Sequence, residues 1–482
     1  MLQAPSEPPS SSPIAAGAVT PSTAPGAELP GLWRVTWPLF ISLALSLSLS
    51  FTDAFFLSHI SDAAAAAAGA INPMLGATLV LFSAVGQAGA SVAGRLLGAK
   101  RHSELPLTYL ALLAFNLALG LLVSALLFAL HRSVPGWFGL RGEAEAAAMT
   151  YMAVLGGFQF LKAVQLAYGN ILNSRGQTRW VLVEAVATNV TNIGLNLAIA
   201  HGLLGMKPSV GAVAGATVIA LLFGMLFTIG VVHLRLGVRF PLRCRVDELR
   251  RALKPILKIG LPSASEPIAY QLAQIAINLL VISLGAAALA TRTYVLSFVT
   301  ISSVLWSIAL GIGIQITIAH RVGAGKLDEA NAELHRALAY AVGGSAALAV
   351  GLALFHAPLL RLLTHDPDIL RRAAPLFALG VIVEMGRGVN IVAGGALRST
   401  GDAAYVAVVG SSLMWCVGVA SAYLFGGALG LGLTGVWMAM ALDESVRGVV
   451  NYRRWRTGRW RITSALAPAS TPPGSRVEDA LV

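Results

Sequence analysis

The sequence predicts an all-α polytopic membrane protein, with twelve transmembrane helices in two six-helix lobes related by a parallel internal repeat. Composition is the first reason: 56% of the 482 residues are hydrophobic and 12% charged, against about 25% charged in a soluble domain. Spacing is the second. Apolar stretches of about 20 residues, enough to cross about 30 Å of hydrocarbon, recur with short polar breaks. Self-similarity is the third, because motifs of the first half return in the second.

In order, the predicted spans are 34–58, 66–93, 106–130, 146–170, 180–204 and 211–234, then 259–284, 288–319, 337–360, 373–397, 403–426 and 432–451. They read as helices because runs such as LALLAFNLALGLLVSALLFAL do not alternate in polarity, as the strands of a transmembrane barrel must. Residues 1–30, rich in Pro, Ser and Ala, lack the basic start of a cleavable signal and read as a disordered arm. The chain then divides into an N-lobe at 31–234, a basic cytoplasmic linker at 235–258, a C-lobe at 259–461 and a disordered tail at 462–482. Little is left over for a soluble enzymatic domain.

The repeat is the most informative feature. Pro38 and Pro262 start equivalent helices, Gly98-Ala99 matches Gly323-Ala324, and LNSRGQT from Leu172 matches LRSTGDA from Leu397, at offsets of 224, 225 and 225 residues. Gly215 and Gly435 stand 220 apart, so one small deletion separates the copies. Six helices per copy is an even number, and both halves enter the membrane in the same sense. Secondary transporters use this architecture to open alternately to each side.

The net charge of +12 falls in short clusters between apolar runs, which orients a membrane protein and does not make the continuous basic face a duplex binder needs. With the amino terminus inside, the inner segments hold 23 Lys and Arg, among them Arg95, Lys100, Arg175, Arg235 to Lys258 and Arg453 to Arg461, against 6 outside. Both termini are therefore expected in the cytoplasm. The two cysteines, Cys244 and Cys416, imply no disulfide framework.

The ordered motifs resemble those of the multidrug and toxic compound extrusion (MATE) transporters. The first helix carries Pro38 and then FTDAFFLSHIS with Asp53, and the second ends in GRLLGAK. The second half repeats this with GLPSASEP, ISLGAAALA and RVGAGK. The fifth helix carries NIGLNLAIAHG followed by GAVAGAT, the tenth EMGRGVNIVAGGALRSTGD and the twelfth GLTGVWMAMALDESVRG. The resemblance spans about residues 31–461. It implies two six-helix lobes around a central cavity and export driven by Na⁺ or H⁺ entry, and it matches Asp53 to the acid that the family uses for coupling.

A charge at the centre of a membrane helix costs about 2.5–3.5 kcal/mol on insertion scales, so each one calls for an explanation. Asp53, beside Thr52 and Ser50, is either a coupling site or an outer-end carboxylate in bulk water. Asn189, Asn192 and Asn196, spaced three and four apart, share one helix face. They are either cation ligands, with Na⁺ at Asp53 or Asn192, or amides that join helices. One branch of the family has Asp where this chain has Asn196, which leaves Asp53 most of any coupling in this lobe.

Glu266 lies between Pro262 and Pro267, where a helix should bend or open and expose carbonyls beside a carboxylate; a hydrated vestibule position competes. Tyr270 and Gln271 are placed to line the cavity or to pack. Glu384 has Arg387 three residues on, either a self-neutralising pair or a central titratable switch. Lys162, equally deep, has Glu184 and Asp53 as candidate partners. Asp443, Glu444 and Arg447 read as a structural ion network, Arg398 as a turn residue, and Arg292 as a snorkelling arginine. Trp33, Trp37, Trp180, Trp455 and Trp460 fit an interfacial belt.

No phosphate-loop glycine precedes Gly325-Lys326, and the nine histidines show no metal-ligand spacing. The reading is a non-enzyme without a cofactor, using Na⁺ or H⁺ as coupling ion and binding no nucleic acid. It exports small cationic or amphipathic compounds from a bacterial inner membrane, in contact with lipid and as a monomer. A flippase of lipid-linked precursors shares the helix plan and is the alternative.

Overall fold

A computed structural model describes residues 29–203, 205–241 and 243–463. Among them the chain is helical throughout, with no strand. Ten helices are long and apolar enough to cross a membrane: α1 Leu32–Ser58, α2 Asp62–Gly98, α3 His102–Leu130, α4 Gly142–Ser174, α5 Thr178–Ala200, α6 Val210–Arg235, and, further along, Ala286–Gly323, Leu327–Leu354, Pro367–Ser399 and Ala403–Ala428. Two more long helices, Val246–Ser283 and Gly432–Arg456, carry more charge. In chain order the later six are α7 (Val246–Ser283) to α12 (Gly432–Arg456). The arm expected over 1–30 and the tail expected over 462–482 lie outside the described residues, apart from Leu29, Pro30, Ile462 and Thr463.

Local chemistry sets several starts and interruptions. Ser61 caps α2 by accepting from the Ala64 N–H at 3.1 Å, and Ser209 caps α6 by accepting from Ala212 at 3.2 Å, each occupying a donor that the first turn leaves unpaired. Helix α4 breaks between Gly157 and Gln159, where Phe158 leaves helical geometry. There Ser124 Oγ on α3 accepts from the Phe160 N–H at 2.9 Å, satisfying a backbone group that lipid would not. Wide π turns interrupt α8 at Thr300–Val304 and α11 at Met414–Val419 and Tyr423–Ala428.

The outer faces are apolar and the inner faces partly polar, the reverse of a soluble bundle. Leu121, Leu122, Leu126 and Phe128 of α3 and Val186, Val190, Ile193 and Leu197 of α5 are exposed, while Thr36, Asn116 and Asn192 are fully buried. Lipid is as apolar as leucine, so small residues and polar contacts hold the helices together. Helix α1 packs on α5, α2 and α3 pack on α4, and α5 packs on α6; α10 packs on α8, α9 and α12. The two sets meet where α1 and α2 cross α8 and where α2 and α3 lie against α7.

Four expectations change. The second half of the expected linker is helical, because α7 begins at Val246 and runs on through Pro255, Pro262 and Pro267 to Ser283. The helix therefore does not open at Pro267. Arg292 does not snorkel: it is buried and donates to Asn278 and, at 2.6 Å, to Gln274 on α7. Trp455 and Trp460 leave the expected interfacial belt and stack at 4.1 Å in the interior, where Trp455 Nε1 donates to Asn331 Oδ1 at 2.9 Å.

Candidate cation and substrate sites

Asp53 lies four residues before the last buried turn of α1 and is 3% exposed. Among the described residues its carboxylate meets no base. Thr217 Oγ1 of α6 stands 2.8 Å from both carboxylate oxygens, and Asn192 Nδ2 of α5 stands 3.2 Å from Oδ1. Asn192 also donates to Thr217 Oγ1 at 2.9 Å, and Asn196 donates to Asn192 Oδ1 at 3.3 Å. The second amide oxygen, Asn196 Oδ1, is buried with no donor. Carboxylate, hydroxyl and amide oxygens gathered without an ammonium or guanidinium are the ligand chemistry of a hard cation; a proton on the carboxylate would answer the same charge.

Asn189, one turn below, serves a different purpose. It donates to the Leu45 carbonyl at 3.1 Å and accepts from Ser48 Oγ at 2.8 Å, tying α5 to α1. Thr217 was missed in the sequence because no periodicity connects α6 to Asp53, although it ends the GAVAGAT motif. Lys162 pairs with neither expected partner. Glu184 instead accepts from Thr188 Oγ1 at 2.8 Å and from Gln165 Nε2.

The second-half carboxylates singled out above, Glu266, Glu384, Asp443 and Glu444, are each held by arginine. Arg398 Nη1 on α10 donates to Glu266 Oε2 on α7 at 2.7 Å, so Arg398 does more than shape a turn. Arg387 donates to Glu384 at 2.5 Å and to Glu444 on α12 at 3.0 Å. Arg447 holds Asp443 through two nitrogens at 2.6 and 3.0 Å and reaches Glu444 at 3.2 Å. Asn390 donates to Glu444 at 2.9 Å and accepts from Asn451 at 3.0 Å. The expected i, i+3 pair is thus part of a seven-residue network between α10 and α12. A small cavity beside it is lined by Tyr270, Gln274, Arg387, Met414 and Asp443; Gln271 is exposed and outside it.

A duplicated all-helical membrane bundle with a polar, base-free carboxylate in one half defines the class of multi-pass membrane transporters. The pattern of the MatE family matches residues 38–198 and 262–424, one segment in each copy of the repeat, and the chain belongs to that family, the multidrug and toxic compound extrusion transporters. An uncharacterized transporter of Bacillus subtilis, YisQ, is 33% identical over 431 residues, covering 89% of this chain and 94% of the relative. The multidrug resistance protein PmpM of Pseudomonas aeruginosa is 26% identical, covering 83% of this chain and 84% of the relative. Among solved structures, a MATE crystal structure in the bent conformation superposes with a TM-score of 0.82 at 20% identity, covering 90% of this chain and 96% of the other. An outward-facing multidrug resistance MATE family transporter gives 0.81, with the same identity and coverage.

Proposed function

We propose that the protein is a secondary active exporter of small organic compounds, driven by Na⁺ or H⁺ bound at Asp53 and working by alternating access in a bacterial inner membrane. One observation carries the reading: Asp53 is buried and, among the described residues, has no basic group within ion-pair distance. A buried carboxylate without a counter-charge draws a cation from outside. Glu266 and Glu384 already hold arginines, which supports Asp53 over them as the coupling acid.

In this reading all twelve helices cross the membrane. The charges of α7 and α12 that exceed the usual load, Glu266, Asp443, Glu444 and Arg447, are paired inside the protein, and pairing offsets much of their insertion cost. The lobes are 31–234 and 259–461, joined by a basic cytoplasmic connection, with both termini inside and one chain sufficient for transport. Cation binding favours one facing state and substrate the other; only such differential affinity drives exchange. The flippase reading calls for a basic cavity, and the pairing of Arg387, Arg398 and Arg447 speaks against it.

The test is efflux from proteoliposomes under an imposed Na⁺ or H⁺ gradient. Wild type should respond to one gradient, and Asp53→Asn should lose that response. Full gradient-driven efflux by Asp53→Asn would refute the assignment.

A further inference from the structure

The internal repeat lets each lobe serve as a control for the other. Lys162 on α4 occupies the position of Arg387 on α10, Gln159 that of Glu384, and Gln165 that of Asn390, each 225 residues on. Helices α6 and α12 are related by 220 residues, so Gly224 occupies the position of Glu444. In the second half the cation at this position is bound by both Glu384 and Glu444. In the first half both carboxylates are absent, replaced by an amide and a hydrogen.

The cation remains. Among the described residues Lys162 makes no ion pair or hydrogen bond, although it lies deep in the bundle near Glu184. Glu184 approaches from α5 into the space that the absent side chain at 224 leaves. A Cβ on Gly224 would stand 2.2 Å from Thr188 Oγ1 and 2.7 Å from both Gln165 Nε2 and Glu184 Oε1. That acid is bound through Oε1 to Gln165 and Thr188 and stays beyond the ion-pair reach of about 4 Å from Lys162.

Two more observations mark an open site. Between Leu161 and Ser174 the accessible residues of α4 are Lys162, Leu166 and Gly169, spaced four and three apart on one face, and a Cβ on Gly169 would meet nothing within 4 Å. One turn from Lys162, Gln165 is 3% exposed and its Oε1 accepts no hydrogen bond. A free ammonium thus stands apart from a carboxylate and an amide that bond to each other, one amide oxygen is left unused, and the face is open one turn on, at Gly169.

We propose that this face of the N-lobe is a subsite for zwitterionic organic substrates, with Lys162 Nζ pairing with the substrate carboxylate and Glu184 with its cationic group. The proposal rests on the export reading and adds a substrate class to it. A substrate bearing only positive charge would meet Lys162 as a repulsive neighbour and gain only the Glu184 contact.

The test uses two dyes that differ by one group: rhodamine 110, which carries a free carboxylate and a delocalised cation, and rhodamine 123, its methyl ester. Binding to the full-length chain in detergent is followed by fluorescence anisotropy. Wild type should bind the acid at least tenfold more tightly than the ester. Lys162→Gln should bring the two to equal affinity by weakening the acid and relieving the ester of its repulsive neighbour, and Lys162→Arg should keep the preference and report that the fold tolerates change there. Glu184→Gln should weaken both dyes alike. Equal binding of acid and ester by wild type, absence of binding to both, or an undiminished preference in Lys162→Gln would overturn the subsite. Dye efflux from proteoliposomes separates the two readings: carboxylate-dependent binding without efflux sinks export and keeps the site, whereas efflux with carboxylate-blind binding does the reverse.

Discussion

Gly98 of α2 and Gly323 of α8, equivalent positions of the repeat, cross back to back. A Cβ on Gly98 would lie 2.1 Å from the His320 carbonyl oxygen, and one on Gly323 would lie 2.1 Å from that of Arg95. Backbone thus touches backbone where the two halves meet on the basic-loop side, and the side chains there reach across. His320 of α8 bonds to the Ser174 carbonyl at the end of α4 at 2.6 Å. Its repeat equivalent, Arg95, approaches the turn at Gly401 after α10, to within 3.7 Å of a Cβ built there. This crossing holds α2 against α8 at the end of the bundle that carries the basic loops.

Gly98→Ala or Gly323→Ala should therefore push the two helices apart at this crossing. Neither contact can yield without moving a helix, and overpacking of this kind costs about 1–3 kcal/mol. Cysteines placed on α2 and α8 near the crossing should react faster with a thiol reagent applied from the side that carries the basic loops. Unchanged labelling would show that the helices part elsewhere.

Thr217→Val should weaken the coupling site without emptying it. The substitution keeps volume and removes the hydroxyl that stands 2.8 Å from both Asp53 oxygens. A hydrogen bond to a charged group contributes about 1.5–3 kcal/mol, so the concentration of the coupling ion at half-maximal efflux should shift by about tenfold or more. Asp53→Asn should abolish the dependence.

Removing Glu444 should damage the fold more than removing Glu384. Glu444 is bound by Arg387, Arg447 and Asn390, whereas Glu384 is bound by Arg387 alone, with its Oε2 buried and unpartnered. Stripping one partner from a buried ion pair costs about 3–5 kcal/mol; in Glu384→Gln the guanidinium keeps Glu444, and the loss should be smaller. Thermal unfolding in detergent should rank Glu444→Gln below Glu384→Gln, and the reverse order would show that Glu384 anchors the network.

Ser124→Ala tests the break in α4. It leaves the Phe160 N–H, now satisfied at 2.9 Å, without a partner in the membrane interior. An unpaired buried donor costs about 1–3 kcal/mol, which should appear as a lower unfolding temperature. Ser124→Thr, which keeps the hydroxyl, should restore most of it.

Chemistry within a helix was readable from the chain, and chemistry between helices was not. The Asn189, Asn192 and Asn196 face and the Glu384–Arg387 pair both follow from spacings of three and four. The same rule cannot find Thr217, which is 164 residues from Asp53, nor Arg398, which is 132 residues from Glu266. Lys162 shows the boundary most sharply. Its equivalence to Arg387 is written in the repeat, but its lack of a carboxylate depends on which side chain α6 brings alongside, a glycine at 224 where α12 brings Glu444.

Sequence by itself determined the solvent this protein lives in, its division into membrane-length helices and its duplication, because lipid forces every backbone group to be paired within its own segment and makes length and polarity legible residue by residue. Tertiary structure alone decided which buried acids stay free. Charge pairing is set by distances of a few ångströms between helices far apart in the chain, and only packing brings Arg398 to Glu266 while leaving Asp53 to a hydroxyl and an amide.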